Sequence, residues 1–79
     1  MKVTVKFFAR YRDIVAEPEI EVEVDNGATV GSLIAKLAEK YVDFLIDPSM
    51  VAVNAEYVDN AVTLSQGDEV AFLPPFSGG

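Results

Sequence analysis

The sequence has 79 residues, 51% of them hydrophobic, which suits one small domain and leaves no room for a second core. It contains neither cysteine nor histidine, which argues against disulfides, thiol or triad catalysis, and the usual zinc, haem and iron–sulfur sites. The net charge is −7 and all six basic residues precede residue 41, so the second half should repel nucleic acid and attract a basic protein surface. The alternative interpretation is that the acidic residues only aid solubility.

Two segments of alternating character predict the first two strands. Apolar and polar side chains alternate in residues 2–8 and again in residues 19–25, so each strand should bury one face. The inward set comprises Val3, Val5, Phe7, Ile20, Val22 and Val24. Residues 10–18 break the alternation and are expected to form a loop, with or without a helical turn. Asn26-Gly27 is a strong turn signal after the second strand.

A helix is predicted after this turn, with Thr29 as its N-cap. Its apolar residues recur at i, i+3, i+4, i+7, i+8 and i+11, namely Val30, Leu33, Ile34, Leu37, Ala38 and Tyr41. Such a stripe covers one side of a helix, so we expect that side to pack against a sheet.

The rest of the chain predicts short strands separated by turns. Asp47-Pro48-Ser49 is a break, residues 50–54 predict a short buried strand, and residues 70–73 predict the last strand. Further turns are expected at Asp59-Asn60 and at Ser65-Gln66-Gly67-Asp68.

These elements predict an α+β fold over residues 1–73, with one main helix on one face of a mixed four- to five-stranded sheet. The first and last strands should lie side by side in the centre, with a right-handed crossover through the helix. This is the β-grasp (ubiquitin-like) arrangement. Because no long apolar segment or leader pattern is visible, we expect a cytoplasmic protein without a membrane partner.

The last six residues are predicted to form a tail that projects from the domain. They are Pro74, Pro75, Phe76, Ser77, Gly78 and Gly79. Proline lacks the donor N–H of a sheet ladder, so the tail should leave the sheet as a polyproline-like stem. Its two final residues have no Cβ and suit a narrow channel that leads to a partner's active site. A frayed chain end is the alternative interpretation.

Three apolar residues are candidates for a docking surface on the sheet face away from the helix. Phe8 has the parity of the polar residues of the first strand, and Leu73 has opposite parity to the core-facing pair Val70 and Phe72. Tyr57 is expected nearby. Isolated exposed apolar residues are ordinary, whereas several that converge beside a reactive end would form a docking surface.

Several segments match a known family. They are Phe7-Phe8-Ala9, Arg12-Asp13-Ile14-Val15, Val53-Asn54, Leu64 and the closing run from Gly67 to Gly79. In these segments the chain resembles the ubiquitin-like sulfur-carrier family, and within it the small subunits of molybdopterin synthase. The family often has Glu where Asp13 stands, Gly where Ala16 stands and Val where Phe76 stands.

The resemblance implies a carrier with no catalytic side chains, cofactor or metal of its own. An ATP-dependent, E1-like activating enzyme would adenylate the Gly79 carboxylate, and sulfur from a donor would displace AMP to leave a thiocarboxylate. The large subunit of molybdopterin synthase would then receive the tail and pass the sulfur to a pterin precursor, which forms the dithiolene of the molybdenum or tungsten cofactor. By the same resemblance, Phe8, Tyr57 and Leu73 match positions that pack against these partners.

Three other functions remain open at this point. The chain is also compatible with a ubiquitin-like modifier that is joined to lysines through Gly79, with a sulfur carrier for tRNA thiolation, and with a plain β-grasp interaction module. The carrier and modifier functions all use the same activated carboxyl terminus, so the sequence does not separate them.

Overall fold

The computed structural model describes residues 1–41 and 50–73. Its elements are β1 (Lys2–Phe7), α1 (Arg10–Val15), β2 (Glu19–Glu23), α2 (Val30–Lys40), β3 (Met50–Val53), β4 (Glu56–Val58) and β5 (Glu69–Leu73). The predicted break at residues 47–49 and the tail of residues 74–79 lie outside the described residues.

The five strands form one mixed sheet in the order β2-β1-β5-β3-β4. The first and last strands pair in parallel at its centre, where Phe7 lies opposite Phe72. The other three pairings, β1 with β2, β3 with β4 and β3 with β5, are antiparallel. With α2 as the main helix, this is the β-grasp arrangement, and the predicted α+β class with central first and last strands is confirmed.

The core lies between α2 and one face of the sheet. Alternate residues of β1 and β5 are almost completely buried, namely Val3, Val5, Phe7, Val70 and Phe72. The rings of Phe7 and Phe72 stack with centroids 6.2 Å apart. From α2 the core receives Val30, Leu33 and Leu37, which belong to the predicted apolar stripe. Burial of these side chains is the main favourable contribution to folding in a chain without disulfides.

Helix α2 begins at a capping box formed by Thr29 and Ser32. The Thr29 hydroxyl accepts from the Ser32 N–H at 3.2 Å, and the Ser32 hydroxyl accepts from the Thr29 N–H at 2.9 Å. The Gly31 N–H, another first-turn donor without an acceptor inside the helix, donates a hydrogen bond to the Asn60 carbonyl oxygen at 2.9 Å. A Cβ on Gly31 would stand 3.3 Å from that oxygen, so glycine permits this close approach. The predicted N-cap is therefore confirmed.

Residues 10–18 were predicted as a loop with or without a helical turn, and the structure has the short helix α1 over the first six of them. Tyr11 and Val15 lie one turn apart, and their side chains are only 1% and 6% exposed. A helix of this length is marginal by itself, so the burial of these two side chains explains why it forms.

A tight turn at Ala9 connects β1 to α1. Ala9 has φ 51° and ψ −127°, a conformation usually occupied by glycine, and the Tyr11 N–H donates to the Phe8 carbonyl at 3.1 Å. The turn reverses the chain immediately after the strand. It therefore leaves Phe8 on the sheet face opposite α2 while Tyr11 returns to the core.

Candidate docking surface

The sheet face opposite α2, here called the outer face, has a central row of four residues. Lys6 of β1, Ala71 of β5, Ala52 of β3 and Tyr57 of β4 are successive register partners across the sheet. Their neighbours along each strand point to the core, as the alternation of a pleated strand requires. Ala52 illustrates this, because the residues on either side of it belong to the core cluster.

A second row lies next to the first and is apolar. Leu73 of β5 is the register partner of Met50 of β3. The Phe8 N–H donates to the Phe72 carbonyl at 3.2 Å, which continues the parallel ladder and places Phe8 beside Leu73. The two rows thus bring Phe8, Leu73 and Tyr57 onto the same face, and the parity predicted for Phe8 and Leu73 is confirmed.

These side chains form what we call the apolar patch, made of Phe8, Met50, Ala52, Tyr57, Ala71 and Leu73. Phe8 is 45% exposed and Tyr57 is 65% exposed, which is high for large apolar residues, whereas Leu73 is half-buried. Met50, Ala52 and Ala71 were not predicted for this surface from the sequence. Ala71 has the same parity as Leu73 and was open to prediction. Residues 50–53 are all apolar, so the sequence does not indicate which of them face the core. Only the strand register shows that Met50 and Ala52 lie on the outer face.

Acidic side chains flank the apolar patch on the side of β2. Exposed Glu19 and Glu21 are register partners of Lys6 and Thr4 on the outer face. Lys6 Nζ lies 3.4 Å from Glu69 Oε2, an exposed ion pair that is worth at most about 1 kcal/mol. An apolar centre with an acidic flank suits a partner that has an apolar centre and basic residues on its rim.

A hydrogen-bonded turn positions the β3–β4 hairpin and therefore Tyr57. Asn54 and Ala55 both have positive φ, 51° and 71°, as a tight hairpin turn requires. The Asn54 side chain accepts from the Glu69 N–H and donates to Asp68 Oδ1, both at 3.0 Å. These contacts tie the hairpin to the start of β5. Asn54 and the Gly67-Asp68-Glu69 segment therefore hold the hairpin, and Tyr57 within it, in position.

The predicted reactive tail of residues 74–79 lies outside the described residues, so its projection and the role of Gly79 stay predictions. The tail follows Leu73 directly, which means that it begins at the border of the apolar patch. Within residues 1–41 and 50–73, no group of three or more acidic side chains is arranged to hold a metal ion. Neither of the two helices in these ranges has the length and apolar character needed to cross a membrane.

Comparison with known families matches nearly the whole chain. The ThiS family matches residues 5–79. The molybdopterin synthase sulfur carrier subunit of Mycobacterium tuberculosis is 40% identical over 82 residues, and the alignment covers 100% of this chain and 99% of that protein.

Comparison with solved structures finds the same fold in small archaeal modifier protein 1 (SAMP1) and in a chain of a molybdopterin-converting factor complex. SAMP1 from Haloferax volcanii is 28% identical with a TM-score of 0.86, and the match covers all of both chains. A chain in the complex of subunits 1 and 2 of the molybdopterin-converting factor from Helicobacter pylori is 27% identical with a TM-score of 0.72, again over the full length of both.

Proposed function

The chain belongs to the ThiS family, and on that premise we propose that it is the sulfur carrier subunit of a molybdopterin synthase. The observation that carries the proposal is the 40% identity to a subunit of that name over 100% of this chain. Residues 1–73 are the folded carrier domain and residues 74–79 are the tail that delivers sulfur. The chain contributes no catalytic side chain, and the large subunit of the synthase provides the catalytic groups.

The reactive group in this proposal is the Gly79 carboxylate. An E1-like enzyme joins it to the AMP moiety of ATP and releases pyrophosphate, which converts a poor electrophile into an acyl adenylate. The outer sulfur of a persulfide donor attacks the acyl carbon and displaces AMP, which gives an acyl disulfide with the donor. A second thiol then attacks the donor's sulfur in this disulfide, so that the thiocarboxylate is released and the donor is left as a disulfide with that thiol. The absence of cysteine supports the terminus as the carrier of sulfur, because no side chain is available to hold a persulfide.

We assign the docking of the large subunit to the apolar patch. Phe8, Tyr57 and Leu73 expose apolar area on one face, and the tail begins directly after Leu73. A partner that covers this face would therefore lie beside the end of β5, after which the tail begins in the sequence. The similarity to a subunit of the Helicobacter pylori complex supports a partner of this kind.

The test is the mass of the tail after activation. No Lys or Arg follows Lys40, so complete tryptic cleavage releases residues 41–79 as one peptide. Protein co-expressed with its activating enzyme and a sulfur source should yield this peptide with one oxygen replaced by sulfur. A variant that lacks Gly79 should keep its fold, gain no sulfur and fail to support a reconstituted synthase. Full synthase activity of this variant would refute the carboxylate as the carrier.

A protein-modifier function is the second candidate, and the similarity to SAMP1 favours it. In that case the activated Gly79 would form an isopeptide bond with a lysine of a target protein. The same purified material distinguishes the two functions, because conjugation leaves a Gly-Gly branch on lysines of other proteins after digestion. Thiocarboxylate without branches favours the carrier, branches without thiocarboxylate favour the modifier, and both together indicate dual use.

A further inference from the structure

We infer that the apolar patch contains a socket for one apolar side chain of the large synthase subunit, with basic residues of that subunit next to it on the β2 side. The inference rests on the proposed function, because it takes the large subunit as the partner that covers the outer face. The floor of the socket consists of Ala52 and Ala71. Its walls are formed by the longer side chains of Lys6, Met50, Tyr57 and Leu73.

The register creates the socket by placing two alanines side by side. Ala71 and Ala52 are direct partners on neighbouring strands, which lie about 4.8 Å apart. In the same row Lys6 stands on one side of them and Tyr57 on the other. Since the side chains of the two alanines end at Cβ, the surface is lower at these two residues than at Lys6 and Tyr57 on either side.

The second row forms the wall of the socket on the side of Leu73 and Met50. Leu73 follows Ala71 by two residues along β5 and Met50 precedes Ala52 by two along β3, about 7 Å away at the rise of a strand. Both side chains therefore stand on the outer face beside the alanines. The two alanines are therefore bordered by longer side chains on three sides.

The exposures support a floor with walls. Ala52 is only 8% exposed although it lies on the outer face, while Tyr57 in the same row is 65% exposed. Pockets that take up a single buried anchor residue contribute most to binding.

The charged residues beside the socket predict which residues surround the anchor side chain in the partner. Glu19 and Glu21 lie on the β2 side of the socket, and Glu69 lies next to Ala71 along β5 with Lys6 as its ion-pair partner. An arginine or lysine beside the anchor would face these carboxylates on docking. The exposed Lys6–Glu69 pair is weak, so a partner cation can replace Lys6 at little cost.

The experiment enlarges the floor residue and measures binding to the large subunit. Ala71→Val and Ala71→Leu should weaken the affinity progressively, with a loss of about tenfold or more for leucine, because the added carbons occupy the space of the anchor. Ala35→Leu is the matched control, since it makes the same change on an exposed position of α2. It should leave the affinity unchanged. Melting temperatures of all three variants should stay close to that of the parent, since Ala35 is exposed and Ala71 lies on the outer face, away from the core.

The outcomes separate this inference from the proposed function. If Phe8→Asp binds the large subunit normally, the outer face is not the docking surface and that assignment fails. If Phe8→Asp abolishes binding while Ala71→Leu binds as well as the parent or better, the surface docks but contains no socket. The double variant Glu19→Gln, Glu21→Gln should reduce the salt dependence of binding, and an unchanged dependence would overturn the basic flank.

Discussion

Phe7 and Phe8 are consecutive and chemically identical, yet they lie on opposite faces of the sheet. Phe7 is 2% exposed and stacks on Phe72, whereas Phe8 is 45% exposed in the apolar patch. We predict that Phe7→Ala is strongly destabilising and that Phe8→Ala is not. For binding to the large subunit the order of the two effects should be reversed among the molecules that remain folded, because only Phe8 belongs to the proposed docking surface.

The magnitudes follow from the burial of each ring. Truncation of a fully buried phenylalanine to alanine costs about 3–5 kcal/mol, which includes the cavity left behind. The whole domain is expected to have about 4–12 kcal/mol of stability, at 0.05–0.15 kcal/mol per residue. Complete burial of such a side chain gains about 1.5–3 kcal/mol, so the half-exposed Phe8 should contribute about 1 kcal/mol. The difference between the two variants should therefore be about 2–4 kcal/mol.

Urea unfolding followed by far-UV circular dichroism measures this difference, and it suits a chain that has no tryptophan. Phe7→Ala should shift the midpoint strongly at an unchanged slope, and its melting temperature should fall by about 12 °C or more. Phe8→Ala should lose about 4–8 °C at most. Equal losses, or a larger loss for Phe8→Ala, would mean that β1 presents its other face to the core and that the apolar patch has been misassigned.

Two further predictions concern the contacts that hold the elements in place. Thr29→Ala removes the acceptor of the Ser32 N–H and should lower the free energy of unfolding by about 1 kcal/mol, while Thr29→Ser should retain most of it. Asn54→Ala removes the bonds to Glu69 and Asp68 and places alanine at φ 51°, so urea unfolding should show a loss of about 1–3 kcal/mol. Asn54→Gly should recover only the part due to φ, and a full recovery would contradict the role of the side-chain bonds.

The elements that could be predicted are those whose periodicity is visible along the chain. Strict alternation in residues 2–7 and 19–25 indicates strands with one solvent-exposed face, because each second residue meets water. The apolar stripe that follows Thr29 likewise indicates a helix with one buried side. The parity of Phe8 and Leu73 then follows, which is why part of the candidate docking surface was open to prediction from the sequence.

The parts that could not be predicted depend on tertiary contacts. Helix α1 contains too few residues to show a period, and the burial of Tyr11 and Val15 holds it in place. The turn before it uses alanine at a φ that favours glycine, so Ala9 gives no turn signal in the sequence. Ala52 lies in an apolar run without alternation, and its position on the outer face follows only from its pairing with Tyr57 and Ala71.

The position of β5 between β1 and β3 has a consequence for folding during synthesis. Among the described strands, β5 pairs with both β1 and β3, so without it the β1–β2 pair and the β3–β4 pair share no hydrogen-bonded edge. Two-stranded units of this kind are marginal in water. A nascent chain that has not yet released residues 69–73 from the ribosome therefore lacks a complete sheet. The domain becomes stable only after the pairing of residues that are more than sixty positions apart, which favours one late, cooperative folding step over gradual assembly.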